Sequence, residues 1–184
     1  MKIKKEEIVL FGKRVKAKIQ EFEEDDISRL KELWNLWYKL SQKLKEYSGG
    51  EARRVNFPEF ISEGCWCLLT GSVRLLEPSS ADTYNPRTGR AEQIKASVIE
   101  NDLTSFGPKS KWDDLYFLDF SRLDGTFDVY EIPTDLLRHE MLNKGERETF
   151  EDQQRQRRRP RLSLKRDIIR KYEILPLYKK VKIW

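Results

Sequence analysis

Ile27, Leu30, Trp34, Trp37, Leu40, Leu44 and Tyr47 recur at three- and four-residue spacing, the spacing that lines one face of an α-helix. Asp25-Asp26 precede this run, lysines load its end, and Gly49-Gly50 stops it, as helix dipoles and caps favour. A long helix is predicted there. Its aromatic stripe, Trp34, Trp37 and Tyr38, suits a core, with a subunit interface as the other reading. Ahead of it, residues 1–21 mix Lys and Arg with Ile8, Val9, Leu10, Phe11, Val15 and Ile19, which fits either a strand or a short helix. Asn56-Phe57-Pro58-Glu59 opens a second helix, with Pro58 in its first turn. Ile61, Cys65, Leu68 and Leu69 form its buried side, and Gly71 ends it.

The pattern then shortens to strand length. Val73–Leu76 reads as a first core strand, leading through Pro78 into a hairpin from Ser79 to Ser97. The turn dipeptides Asn85-Pro86 and Thr88-Gly89 sit at the centre of that hairpin. Leu115–Phe120 is nearly continuous in apolar residues, as a central strand should be. Asp124-Gly125 turns the chain, and Thr126–Ile132 is the return strand. Pro133-Thr134 starts a helix to about Leu142, with Leu136, Leu137 and Met141 inward. Asn143-Lys144-Gly145 breaks it. Ser163 caps a last helix, Leu164–Tyr172, with Ile168 and Ile169 inward, and the tail from Ile174 to Trp184 reads as an edge strand. The predicted class is α/β, an α+β mixed sheet flanked by helices.

The chain has 184 residues, enough for one domain with a real core. Charged residues make up 36%, but five Trp, seven Tyr and nine Phe supply core material and argue against disorder. No apolar run reaches the length of a membrane span, and no signal-peptide stretch opens the sequence. Cys65 and Cys67 are too few for a disulfide framework or a zinc site, so reduced core thiols in the cytoplasm are expected. His139, the single histidine, reads as structural or exposed, with no catalytic role. The net charge of +5 is unevenly spread. From Glu151 to Trp184 there are twelve Lys/Arg against four Asp/Glu. A basic end on a slightly acidic body points to a polyanion.

Two stretches carry residues suited to DNA. The loop after the hairpin offers Thr104, Ser105, Lys109 and Ser110, hydroxyl and ammonium donors for phosphate oxygens. The block from Phe150 to Ser163 offers Gln153, Gln154, Arg155, Arg157, Arg158, Arg159, Arg161 and Ser163. Arginine forks and glutamine amides read guanine and adenine edges in the major groove. Side chains two apart in a strand share a face, so Gln93 and Lys95 point one way while Glu92, Ile94 and Ala96 point the other. Asp82, on the partner strand, then lets an acid, a carboxamide and an ammonium converge.

Asp82 followed by Gln93-Ile94-Lys95 resembles the core of the PD-(D/E)XK nuclease superfamily. The agreement extends in order through Phe57-Pro58-Glu59, Ser62-Glu63-Gly64, Ala81-Asp82-Thr83-Tyr84-Asn85-Pro86, the loop Asp102–Ser110, Leu115–Phe120, Asp124–Tyr130 and Arg158-Arg159-Pro160-Arg161. It spans about residues 53–173 and is similar to a small Type II restriction endonuclease family that cuts within GCNGC. The resemblance implies Mg²⁺-dependent cleavage of double-stranded DNA, with Mn²⁺ as a substitute metal, by a homodimer in the bacterial cytoplasm. Asp82, Gln93, Lys95 and Glu63 would be catalytic, with Asp82, Gln93 and Glu63 on the metal. Gln93 stands where the family pattern has an acid, either naturally or as an inactivating change, and Glu63 would compensate as a second carboxylate unless it is an ordinary exposed helix acid. The whole chain, 1–184, is then one nuclease domain. It comprises an N-terminal helical arm (1–50), a catalytic core (51–133) and a helical, basic DNA-binding part (134–184). A repair or junction-resolving nuclease of the same fold, or a non-catalytic DNA-binding protein with a degenerate site, would share much of this pattern.

Overall fold

The computed structural model describes every residue except 52–54, 78–79, 101, 144 and 146. The expectations placed on Pro78, Ser79 and Lys144 lie outside the described residues. The chain opens with β1 (Lys2–Leu10) and β2 (Lys13–Glu21), followed by α1 (Asp26–Tyr47) and α2 (Glu59–Thr70). Next come β3 (Val73–Glu77), β4 (Thr83–Asn85), β5 (Arg90–Ser97), β6 (Thr104–Ser105), β7 (Asp114–Asp119) and β8 (Phe127–Glu131). The last third holds α3 (Thr134–His139), β9 (Met141–Asn143), β10 (Glu148–Thr149), α4 (Phe150–Arg155) and β11 (Arg161–Leu162), then a π-helical turn at Leu164–Arg170 and β12 (Tyr178–Val181).

Eight strands form one sheet in the order β1-β2-β3-β4-β5-β7-β8-β12. Only β5 and β7 run parallel, with Gln93 opposite Leu115 and Lys95 opposite Phe117. This is the mixed sheet flanked by helices that the pattern predicted. The two faces are sorted by period-2 alternation. Ile94, Leu118 and Val129 pack with Leu30, Trp34, Trp37, Ile61 and Cys65 of α1 and α2. Leu115, Phe117 and Ile132 pack with Phe106, Leu137, Phe150, Leu164 and Ile168 on the opposite side. Trp34 anchors the first layer, with ring centroids 5.3 Å from Trp37, 5.5 Å from Phe120 and 5.9 Å from Trp184. Gly64 lets α2 approach α1, since a Cβ there would meet Leu30 at 3.0 Å.

Four elements differ from expectation. Residues 1–21 form a long antiparallel hairpin with Ile8 opposite Val15, so the first part of the 1–50 segment is strand rather than helical arm. Its outer strand is an edge rich in lysine, as sheet edges are, and this hid the alternation; only Ile8 and Leu10 of β1 are buried. In α1 the buried face is Leu30, Trp34, Trp37 and Ser41, whereas Leu40, Leu44 and Tyr47 are exposed. The helix from Thr134 stops at His139, because Glu140 turns extended. There its buried carboxylate takes 2.7 Å bonds from Lys171 and a 2.9 Å bond from Tyr172. Met141 then leaves the core in β9. Residues 134–184, expected to be helical apart from the tail, therefore contain β9 to β11 as well as helices, and the capped helix after Ser163 is a π-helical turn; β12 is the edge strand expected of the tail.

The rest follows the sequence closely. Gly89 takes a left-handed φ of 70° and donates to Asn85 O at 2.9 Å, closing the β4–β5 hairpin. Gly71 caps α2 at φ 76°, a conformation that favours glycine. Lys165 fastens the far ends of the parallel pair, meeting Asp119 at 2.6 Å and Glu100 at 2.5 Å.

Candidate active site

The β4–β5 hairpin brings the three expected groups together. Asp82 precedes β4, and its backbone is fixed by Asp82 N to Glu92 O and Leu75 N to Asp82 O, both 2.9 Å. Its Oδ2 accepts the Ile94 N–H at 2.8 Å and the Gln93 Nε2 amide. The Lys95 ammonium stands 4.0 Å from the same oxygen and 5.7 Å above the Phe106 ring. Asp82 Oδ1 takes no hydrogen bond from the described residues. Gln93 is buried at 3% exposure while Lys95 is half-buried. Burial pushes the Asp82 carboxyl above its usual value, and Lys95 and the Ile94 N–H pull it back.

Glu92 faces the other side, as the strand period required. Its carboxylate is closed off by Trp66 Nε1 at 2.8 Å, Thr83 Oγ1 at 2.7 Å and Asn85 Nδ2 at 3.4 Å, so it braces α2 against the hairpin. Glu63 of α2 is buried and ion-paired with Arg74 of β3. Burial, with Asp82 nearby, pushes its carboxyl up to about 7, against the pull of Arg74. Glu59, one turn earlier, stays exposed. It lines a cleft of about 330 Å³ together with Asn56, Ser62, Lys95, Asp102 and Ser105.

The two stretches proposed for DNA meet in space. β6 and β11 pair antiparallel, with Ser105 opposite Arg161 and Thr104 opposite Leu162. Phe106 N donates to Pro160 O at 3.0 Å, and Gln154 Nε2 donates to Gly107 O at 3.0 Å. Lys109 and Ser110 then share a cleft of about 470 Å³ with Gln154, Arg155 and Arg138. Not every candidate is free to reach out. Gln153 is buried and donates to Glu148. Arg158 is held by Glu148 at 2.7 Å, and Arg155 by Glu151 and Asp152 at 3.3 Å. Ser163 is buried and accepts the Arg166 N–H as a cap. Arg157, Arg159, Arg161 and Lys109 are exposed, and pair with no carboxylate among the described residues.

Comparison with known proteins settles the family. The Bsp6I restriction endonuclease family matches residues 22–171. The chain is also 36% identical over 147 residues to the Type II restriction enzyme Bsp6I of Bacillus sp. (strain RFL6), across 78% of this chain and 81% of that protein. The chain belongs to the Bsp6I restriction endonuclease family. No solved structure matches it. The matched span begins just after the β1–β2 hairpin and stops before β12, so both edges of the sheet lie outside it.

Membership of the Bsp6I family makes the chain a Type II restriction endonuclease, a site-specific nuclease whose partner is DNA. Among the described residues no helix is long and apolar enough to cross a membrane. Type II restriction enzymes generally use divalent metal ions. The donor set here fits a hard cation that keeps much of its water. Asp82 Oδ1 accepts no hydrogen bond from the described residues, and a half-turn of the Gln93 amide would exchange its nitrogen for an oxygen. Among the described residues no group of three or more His, Cys, Asp or Glu side chains is placed to hold a metal ion, so a cation here would draw on water and the amide. Arg74, Glu59 and Phe106 were missed from the sequence. Glu59 and Glu63 stand one turn apart on α2, and only the structure shows that Glu59 opens to the cleft while Glu63 is buried. Nothing local ties Arg74 to Glu63, because the second half of α2 and a turn separate them.

Proposed function

We propose that this restriction endonuclease cuts both strands of DNA within GCNGC, with Mg²⁺ as its metal and Mn²⁺ as a substitute, acting as a homodimer in the bacterial cytoplasm. The observation that carries this reading is the meeting of Asp82, Gln93 and Lys95 at one point beside an open cleft. Asp82 and Gln93 would hold the cation, with Glu63 behind them and Glu59 at the cleft wall. A bound divalent cation supplies neutralising charge at the scissile phosphate and a more acidic water. Lys95 orients the attacking water and offsets negative charge on the phosphate oxygens. Phe106 under the ammonium limits where it can swing. Arg161 on the ribbon of β6 and β11, with Arg157 and Arg159 in the turn that leads into it, would run along the backbone and base edges. Residues 51–133 would then form the catalytic core and 134–184 most of the DNA-binding part of a single 1–184 domain.

The test is a plasmid digest in Mg²⁺, in Mn²⁺ and in EDTA, with fragment ends sequenced. Discrete bands ending inside GCNGC in either metal, and none in EDTA, are expected. A preference for branched substrates would move the reading to a junction-resolving enzyme. Binding without cleavage in any metal would make the site a degenerate one, with Gln93 the cause.

A further inference from the structure

The outer face of α1 carries an apolar stripe that none of the described residues covers. Leu33, Leu36, Leu40, Leu44 and Tyr47 follow one another at three- and four-residue steps, about 21 Å along the helix. All five are exposed, Leu36 at 57%, Leu40 at 51% and Tyr47 at 78%. They lie apart from the buried stripe of Leu30, Trp34, Trp37 and Ser41 that seats the helix. A shallow groove of about 330 Å³ runs beside Leu36, rimmed by Ser28, Lys31, Glu32, Asn35 and Lys39. A solvated helix face does not carry such a stripe without a partner.

We infer that this face is where a second copy of the chain docks, with the two α1 helices antiparallel and the two-fold axis beside Leu40. The inference rests on the proposed double-strand cut, which asks for two active sites where each chain has one Asp82–Lys95 constellation among its described residues. Charge fixes the direction. Glu23, Glu24, Asp25, Asp26 and Glu32 outnumber Arg29 and Lys31 at the start of the helix, while Lys39, Lys43 and Lys45 outnumber Glu46 at its end. Antiparallel pairing sets each acidic start against a basic end and opposes the helix dipoles; parallel pairing sets like against like. In this register Leu36 meets the partner's Leu44, and Leu33 meets the partner's Tyr47. An isologous face of this kind closes on itself. It also places the sites sensibly. Trp37 Nε1 donates to Val55 O at 3.1 Å, and Val55 and Phe57 line the catalytic cleft. Helix α1 therefore backs the cleft wall, and pairing through its outer face holds two clefts side by side.

Sedimentation equilibrium without DNA tests the surface independently of any cutting. The intact chain is expected to be a dimer at tens of micromolar. The L36E/L40E double variant is expected to weaken it at least about 100-fold while keeping the far-UV spectrum, since both side chains already face water. A short bismaleimide should link L40C to itself, and should link L33C to Y47C only when the two variants are mixed; Cys65 and Cys67 are buried and do not compete. A monomeric intact chain, a dimer untouched by L36E/L40E, or self-linking of L33C and Y47C separately would each overturn the proposal. A dimer that binds no DNA would leave the surface standing and sink the nuclease reading. A monomer that cuts both strands would do the reverse.

Discussion

Replacing Gln93 by Glu restores the acid that the nuclease pattern expects, and the structure says what this does before any metal arrives. The Gln93 amide now donates to Asp82 Oδ2 in a buried setting. A hydrogen bond to a charged group contributes about 1.5–3 kcal/mol net. The substituted side chain would lose that bond and set two carboxylates together. Two like charges about 4 Å apart repel by about 4 kcal/mol at an effective dielectric near 20. Lys95, 4.0 Å from Asp82, offsets part of this, and the pair can escape the rest by sharing a proton. In EDTA at about pH 8, Gln93→Glu should be about 2–4 kcal/mol less stable than the native chain by urea unfolding, read on tryptophan fluorescence. At about pH 5 the gap should shrink, because the shared proton rebuilds the bond. Millimolar Mg²⁺ should close it, since a second carboxylate tightens binding and each tenfold gain in affinity adds about 1.4 kcal/mol to the folded state. Equal stability of the two chains in EDTA at the higher pH, or a larger Mg²⁺ stabilisation of the native chain than of the variant, would refute the placement of these groups.

Three further tests address separate parts of the site. Glu63 holds its proton up to about pH 7 when folded, against 4.5 in its ordinary state. The stability this lends is full below 4.5 and is lost as pH rises to about 7, about 3 kcal/mol in all. Glu63→Gln should abolish that fall in metal-free urea titrations across the window, and a native chain with no slope relative to the variant would contradict it. Lys95→Ala should lower the single-turnover cleavage rate by at least about 100-fold while DNA affinity in EDTA changes little; retained activity would remove Lys95 from the chemistry. Arg159→Ala and Arg157→Ala should each weaken DNA binding in fluorescence anisotropy. If the residue grips phosphate, the log–log salt slope falls by about one; if it reads a base, about 1–3 kcal/mol is lost on the specific site alone. Arg158→Ala should instead act mainly on stability, since Glu148 already holds that side chain.

The hairpin, and with it the meeting of Asp82, Gln93 and Lys95, was legible because its information is local. Turn residues at Asn85–Gly89 fix the register, and period-2 alternation then decides that Gln93 and Lys95 face Asp82 while Glu92 turns away. The N-terminal hairpin was not legible, because an edge strand is wetted on most of its length and its lysines erase the alternation. In α1 the helix was evident but its buried face was not. Two apolar stripes share the same spacing, and only the tertiary packing of Trp34 and Trp37 against Phe57 and Phe120 separates them. The basic block showed its charge in the sequence but not its internal pairings. Glu148 and Asp152, close by in the chain, occupy Arg158 and Arg155, while Arg157, Arg159 and Arg161 are exposed and pair with no carboxylate among the described residues.

Phe106 belongs to two parts of the molecule at once. Its amide is tied to Pro160, between Arg159 and Arg161, and its ring lies beneath the ammonium of Lys95. If Lys95 handles the water as proposed, a displacement of the arginine segment by a mismatched helix of DNA would be delivered to it through one residue. Fidelity in such an enzyme need not come from refusing the wrong sequence. It can come from gripping it with the chemistry slightly out of line.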